Sequence, residues 1–155
     1  MAVMDNQKMI ERLNDLIALD YDAVGAYEAA IDRIHEEFLR MRLREFQLDH
    51  RRHIQDLSIV VERMGGKARE RPDVKGFLLK GFTAVTALMG TEAALRAMQG
   101  NERLTNSTYR KAMEQEWTDD VRQIIDRNFH DEQRHLAFIE ESLRTRSWEQ
   151  TGMHP

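Results

Sequence analysis

A set of polar residues from the first half of the chain recurs in the second half at a constant offset of 82 positions, as from position 20 to position 102. The first set is Asp20, Tyr27, Asp49, His50, Arg52 and His53, and the second is Glu102, Tyr109, Asp131, Glu132, Arg134 and His135. The two halves share little else in this alignment. Two dissimilar halves that keep acids, tyrosines and histidines in register predict two helix pairs that build one shared polar site.

Four segments carry core-type residues at alternating spacings of four and three positions, which is the pattern of one helix face. The predicted helices cover about residues 5–34, 37–64 and 92–116, and a fourth runs from the cap Thr118 to about Thr145. Asp5 and Thr91 are predicted N-caps of the first and third helices. Gly65 and Gly66 together predict the end of the second helix, because glycine favours the backbone conformation that terminates a helix.

The predicted turns place the repeated residues at matching levels. Short connections within each half predict two antiparallel hairpins, in which residues equidistant from the turn lie side by side. Asp20 and His50 are equidistant from position 35, and Glu102 and Glu132 are equidistant from position 117, where the turns are predicted. Each hairpin therefore brings two repeated polar residues to one level.

The length and composition suit one helical domain. The chain has 155 residues, of which 41% are hydrophobic, and this is enough for a sizeable core. The connection between the hairpins is long and carries a predicted short apolar helix at about 73–89. The expected fold is an all-α four-helix bundle with a long crossover containing that extra helix. We expect a single domain over residues 1–155, with its core at about 5–145.

Several classes of function are disfavoured by the composition. The net charge is −4 and the pI is about 5.9, so the composition does not indicate a positively charged surface for binding nucleic acid. The absence of cysteine excludes thiolate zinc sites, iron–sulfur clusters and a rubredoxin-type module. The longest apolar stretch, 76–90, is too short to span a bilayer and contains Lys80. With no secretory signal before the first helix, we expect a cytoplasmic protein that contacts no membrane.

The inward-facing stripes of the four predicted helices, called seams below, direct three acids and three imidazoles to the middle of the bundle. The members of this layer are Asp20, His50, His53, Glu102, Glu132 and His135. Burying an ionised carboxylate costs several kcal/mol unless the charge is paired, and no Lys or Arg lies on the seams. A divalent metal ion is the simplest counter-charge. Oxygen and nitrogen ligands without sulfur suit iron, manganese or zinc.

The sequence leaves several other readings of these residues open. The layer could instead be a hydrogen-bonded polar layer that holds no metal. Asp22 would replace Asp20 as a ligand if the first helix were rotated. The repeated tyrosines are expected to fill the core with bonded hydroxyl groups. His35, His130 and His154 are expected to lie in solvent.

The segment from Asp131 to His135 reads D-E-x-R-H, with an acid on the preceding antiparallel helix. This pattern resembles the ferritin-like di-iron carboxylate superfamily, which includes rubrerythrins, bacterioferritins and di-iron oxygenases. The spacing of seven between acid and tyrosine in each half also resembles rubrerythrin helices. The resemblance covers about 5–145 and is nearest to small bacterial ferritin-like proteins of unknown function. It implies metal ligation by Glu102, Glu132 and His135, with Asp131 holding a ligand imidazole through its other nitrogen.

The chain departs from the pattern of that superfamily at two positions. Its members usually place Glu on the first helix and Glu-x-x-His on the second. Here Asp20 and His50 occupy those positions. Four carboxylates would balance two divalent ions, whereas three leave one positive charge. An altered two-metal site, a single-metal site and an empty site therefore stay open.

Three functions remain as hypotheses. The first is a metal-binding protein with up to two iron ions, or manganese or zinc instead, acting as an oxidoreductase on oxygen or peroxide with an unknown electron donor. The second is a non-catalytic stress or interaction protein with a vestigial polar site, and the third is iron storage. Whether the protein is an enzyme is left open. We also expect a homodimer formed partly by the apolar segment 73–89.

Overall fold

The computed structural model describes residues 4–71 and 90–150. It contains the helices α1 (Asn6–Arg33), α2 (Glu37–Arg63), α3 (Thr91–Met113) and α4 (Asp119–Thr145), followed by a 3-10 turn (Ser147–Glu149). Within these ranges there is no strand, so the predicted all-α four-helix bundle is confirmed. The predicted helix at 73–89 lies outside the described residues. In the described part of the chain, no helix combines the length and apolarity needed to cross a membrane.

Local sequence explains several of the helix ends. The Asp5 carboxylate accepts a hydrogen bond from the Lys8 N–H at 2.9 Å, as expected of an N-cap. Gly65 follows Met64, the C-cap of α2, and adopts a φ of 84°, in the left-handed region that glycine tolerates best. The cap prediction for α3 was wrong, because Gly90 holds the N-cap position. Thr91 is the first helical residue, and its hydroxyl donates to the Glu36 carboxylate at 2.8 Å.

Two antiparallel hairpins pack side by side to form the bundle. Residues 34–36 connect α1 to α2, and residues 114–118 connect α3 to α4. The first helix packs against α2 and α3, and α4 packs against α3 and α2. These contacts bring all four helix seams to a common axis.

Among the described residues, the core consists of two apolar clusters. One cluster includes Leu13, Ile17, Leu57, Val61, Trp117 and Ile125. The other includes Ile31, Leu39, Leu43, Phe46, Leu95, Met98 and Ile139. Buried polar residues lie between these clusters along the helices. The apolar clusters therefore enclose a polar layer at mid-bundle.

Candidate metal centre

All six side chains predicted for the polar layer meet at mid-bundle and are fully buried, each with 0% of its surface exposed. They form two groups, Asp20, His50, His53 and Glu132, and His50, Glu102, Glu132 and His135. Within each group, one nitrogen or oxygen atom from every residue lies within 4.8 Å of the others. His50 and Glu132 belong to both groups, so the two groups share a central pair.

The first group is arranged around Asp20. Its Oδ1 atom lies 2.7 Å from Nδ1 of His50 and 3.1 Å from Nδ1 of His53. Both of these nitrogens are 3.4 Å from Oε1 of Glu132. The Tyr109 hydroxyl donates to Oδ2 of Asp20 at 2.6 Å. Two imidazoles and two carboxylates therefore face one another.

The second group repeats this arrangement around Glu102. Its Oε1 atom lies 3.2 Å from Nε2 of His50 and 3.5 Å from Nδ1 of His135. Nδ1 of His135 is also 3.7 Å from Oε2 of Glu132. The Tyr27 hydroxyl donates to Oε1 of Glu102 at 2.5 Å. Each half of the chain thus supplies the tyrosine that supports the acid of the other half.

Two outer aspartates hold the imidazoles of the opposite hairpin. Nε2 of His53 lies 2.9 Å from Asp131, and Nε2 of His135 lies 2.7 Å from Asp49. Each carboxylate accepts a hydrogen bond from the Nε2–H group, which leaves Nδ1 directed at the layer. Arg134 contacts Asp49 at 2.8 Å and Asp131 at 3.0 Å, which partly offsets their charge. Asp131 therefore holds a ligand-type imidazole through its Nε2 atom, as the resemblance implies.

The carboxylates favour protonated imidazoles in the metal-free layer. Burial alone would lower the pKa of each histidine, but the charge of Asp20 leads the opposing effects that raise the pKa of His53 to about 10. Burial is likewise outweighed at His135, where the hydrogen bond to Asp49 is the leading cause that raises the pKa to about 9. The pKa of His50 is raised well above its ordinary value despite burial, with the charge of Glu132 the leading cause.

The three inner carboxylates respond differently to the same surroundings. Burial would raise the pKa of Asp20, yet His53 and His50 lower it overall. Burial is also outweighed at Glu102, where the nearby imidazoles of His135 and His50 lower the pKa well below its ordinary range. Burial does raise the pKa of Glu132. Glu132 is therefore the least stabilised anion of the three.

Two atoms of the layer show that its hydrogen bonding is incomplete. Among the buried side-chain atoms of the described residues, Oε1 of Glu132 and Nδ1 of His135 have no hydrogen-bond partner. Leaving a buried polar atom unsatisfied costs about 1–3 kcal/mol, and native proteins rarely do so without a reason. Cations bound in the two groups would satisfy both atoms, because Oε1 of Glu132 faces the first group and Nδ1 of His135 faces the second. The donor set of carboxylate oxygens and imidazole nitrogens fits a divalent transition-metal ion.

The remaining sequence predictions concern residues that are not members of the layer. Asp20 faces the layer, whereas Asp22 is half-buried and belongs to neither group, so helix α1 has the predicted rotation. His35 and His130 are exposed, as expected, and His154 lies outside the described residues. Both repeated tyrosines are buried with bonded hydroxyl groups, as expected.

Sequence reasoning missed Thr105, which is fully buried beside the second group. Its hydroxyl lies 3.0 Å from Oε2 of Glu102 and 3.0 Å from Oε2 of Glu132. The offset of 82 maps Thr105 onto Ala23, so the repeat gave no sign of it. The spacing of three from Glu102, which places both side chains on one helix face, was the available signal.

A family model described as Domain of unknown function (DUF2383) matches residues 8–115. No curated protein matches the chain. The matched range contains Asp20, His50, His53 and Glu102, while α4 lies beyond it.

Proposed function

The chain belongs to the DUF2383 family of domains of unknown function, and on that premise we propose that this protein binds two transition-metal ions in its buried layer. One observation carries the proposal: two groups of four ligand-type residues share His50 and Glu132 and are completely buried. Iron is the first candidate, and manganese or zinc are the alternatives, because all three accept oxygen and nitrogen ligands. In each group, two carboxylates and two imidazoles would hold one ion.

We extend the proposal to an oxidoreductase that acts on oxygen or peroxide in the cytoplasm. Bound iron would supply one-electron redox chemistry at the layer. The protein's own groups would hold the ligands in place, since the tyrosine hydroxyls support Asp20 and Glu102 while the outer aspartates fix the imidazoles. The complete burial of the six ligand side chains favours a reactant as small as oxygen or peroxide over a bulky one.

A second candidate function is a non-catalytic helical protein whose polar layer sets the register of the bundle. The observation in its favour is that three imidazolium ions would balance the three inner carboxylates without any metal. The raised histidine pKa values support that protonation state. This candidate requires a protein that folds in the presence of a chelator and carries no metal when purified without one.

Elemental analysis of protein purified without chelator tests the proposal. We expect up to two ions per chain in the wild type and a clear loss in Glu132→Gln and His135→Gln. His130→Ala is the matched control on the same helix, because His130 is exposed, and it should keep the wild-type metal content. Equal metal content in all four proteins would contradict the assignment of the layer. A metal-free wild type would favour the second candidate, and a large shell-like particle filled with iron would favour storage.

A further inference from the structure

His50 differs from the other two histidines of the layer because both of its ring nitrogens face inner carboxylates. Nδ1 lies 2.7 Å from Asp20, in the first group, and Nε2 lies 3.2 Å from Glu102, in the second group. The His50 ring centroid is 5.4 Å from that of His53 and 5.2 Å from that of His135. The ring is therefore about equally far from the imidazoles of His53 and His135.

In each of the other two histidines, one ring nitrogen is hydrogen-bonded to an aspartate outside the layer. Nε2 of His53 is bound to Asp131, and Nε2 of His135 is bound to Asp49. Only Nδ1 of each ring is directed inward. Among the contacts of the described residues, neither ring nitrogen of His50 is paired with an outer aspartate.

We propose that His50 bridges the two metal ions, binding one ion through Nδ1 and the other through Nε2. This inference rests on the proposed function, since it requires both ions. Glu132 has a matching arrangement: Oε1 is 3.4 Å from Nδ1 of His53, and Oε2 is 3.7 Å from Nδ1 of His135. One imidazole and one carboxylate would then link the two ions.

The charge of the layer supports this bridge. Each bond from a metal to a ring nitrogen of His50 replaces a bond to hydrogen, and the released proton passes to solvent. A ring that has lost both N–H protons carries one negative charge. With Asp20, Glu102 and Glu132, it brings the total to four negative charges, which equals the charge of two divalent ions. The bridging histidine would thus supply the fourth negative charge, which the three carboxylates alone lack.

Nuclear magnetic resonance of the cadmium-loaded protein tests the bridge directly. The full chain would carry a spin-half nitrogen isotope in its histidines and would be titrated with a spin-half cadmium isotope. We expect two cadmium signals, and a one-bond coupling from each ring nitrogen of His50 to a different cadmium ion. His53 and His135 are internal controls, because each should show a coupling at Nδ1 alone and keep its Nε2 proton.

The outcomes separate this inference from the proposed function. Two bound cadmium ions with a protonated nitrogen on His50 would overturn the bridge and leave the proposed function standing. A single bound ion would overturn the bridge and the count of two ions in the proposed function, but it would leave metal binding by the layer standing. No bound cadmium, iron, manganese or zinc would overturn both.

A matched pair of variants provides a second measurement by cadmium titration. His50→Glu keeps a group that bridges and carries a negative charge, so it should still bind two ions. His50→Gln has neither property and should bind one ion at most. Two ions bound by the glutamine variant with wild-type affinity would overturn the bridge.

Discussion

The outer aspartates determine which nitrogen of His53 and His135 faces the layer. Replacing one of them should therefore weaken metal binding by releasing the orientation of a single imidazole. We expect Asp131→Asn to weaken metal binding about 10–100-fold, the usual size for the loss of a partner behind a ligand histidine. Competition with a coloured chelator would measure the change.

Asp56→Asn is the matched control for Asp131→Asn. Asp56 also pairs with an arginine across α2 and α4, with 2.8 Å between Arg127 and its carboxylate, but it touches no histidine of the layer. Its replacement should leave metal affinity unchanged. Equal weakening in the two variants would show that loss of surface charge, rather than orientation of the imidazole, is responsible.

Titration of the layer should make the metal-free protein sensitive to alkaline pH. The pKa of His53 is raised to about 10 and that of His135 to about 9, from an ordinary value of 6.5. The stability that these groups contribute is fully present below pH 6.5 and is lost as the pH rises through the folded pKa values. We therefore expect the midpoint of thermal unfolding in chelator to fall from pH 7 to pH 10.

His53→Gln is the control for this pH dependence. Glutamine does not titrate, so the fall in the unfolding midpoint over the same pH range should be smaller in the variant. A wild-type midpoint that stays constant from pH 7 to pH 10 would contradict the protonation of the buried imidazoles.

At the scale of the helices, the end of α3 depends on residues of the next segment. Arg122 donates to the backbone carbonyls of Met113 and Gln115, and the Trp117 indole N–H donates to the carbonyl of Ala112 at 2.7 Å. We expect Arg122→Ala to lower the free energy of unfolding by about 1–2 kcal/mol, because hydrogen bonds from a charged group to carbonyls at the end of α3 and in the following turn are lost. Urea denaturation would measure this change.

Arg103→Ala is the control on the same bundle. Arg103 forms an exposed ion pair with Glu140 at 2.9 Å, and such pairs contribute about 0–1 kcal/mol. A loss in Arg122→Ala no larger than in this control would show that the carbonyl contacts do not stabilise the turn.

The helix ends show which boundaries a sequence can predict. The ends of α1 and α2 lie within a residue of the predicted positions, because Asp5 and Gly65 act through their own backbone neighbourhood. The predicted end of α3 at residue 116 was wrong, since the helix ends at Met113. That end depends on contacts from Trp117 and Arg122, which periodicity and capping residues do not reveal.

At the scale of the whole molecule, the repeat predicted the layer because both hairpins obey the same spacing. It brought the six side chains to one level without any knowledge of their contacts. It could not predict features that break the symmetry. Phe46 stacks on His135 with 4.3 Å between ring centroids, whereas the corresponding position in the other half is Asn128. The contacts of residues without a counterpart follow from packing, which the repeat does not describe.

The oligomeric state remains a prediction about the whole molecule. We propose a homodimer, because Phe77, Leu78, Phe82 and Leu88 give the crossover more apolar residues than the cover of a bundle end requires. Sedimentation velocity at micromolar concentration should give the mass of two chains. Replacing Phe77 and Phe82 with serine should produce monomers, and a wild-type monomer would contradict the proposal.

The crosswise support of the imidazoles has a consequence for how such a chain could arise. Asp49 of the first hairpin holds His135 of the second, and Asp131 of the second holds His53 of the first. Neither hairpin alone contains a supported layer. An ancestor made of one hairpin would have needed a second copy of itself to complete the layer, and fusion of the two copies would then free each half to change separately. The pair His50 and Glu132, at equivalent positions with different chemistry, is the kind of divergence that fusion permits.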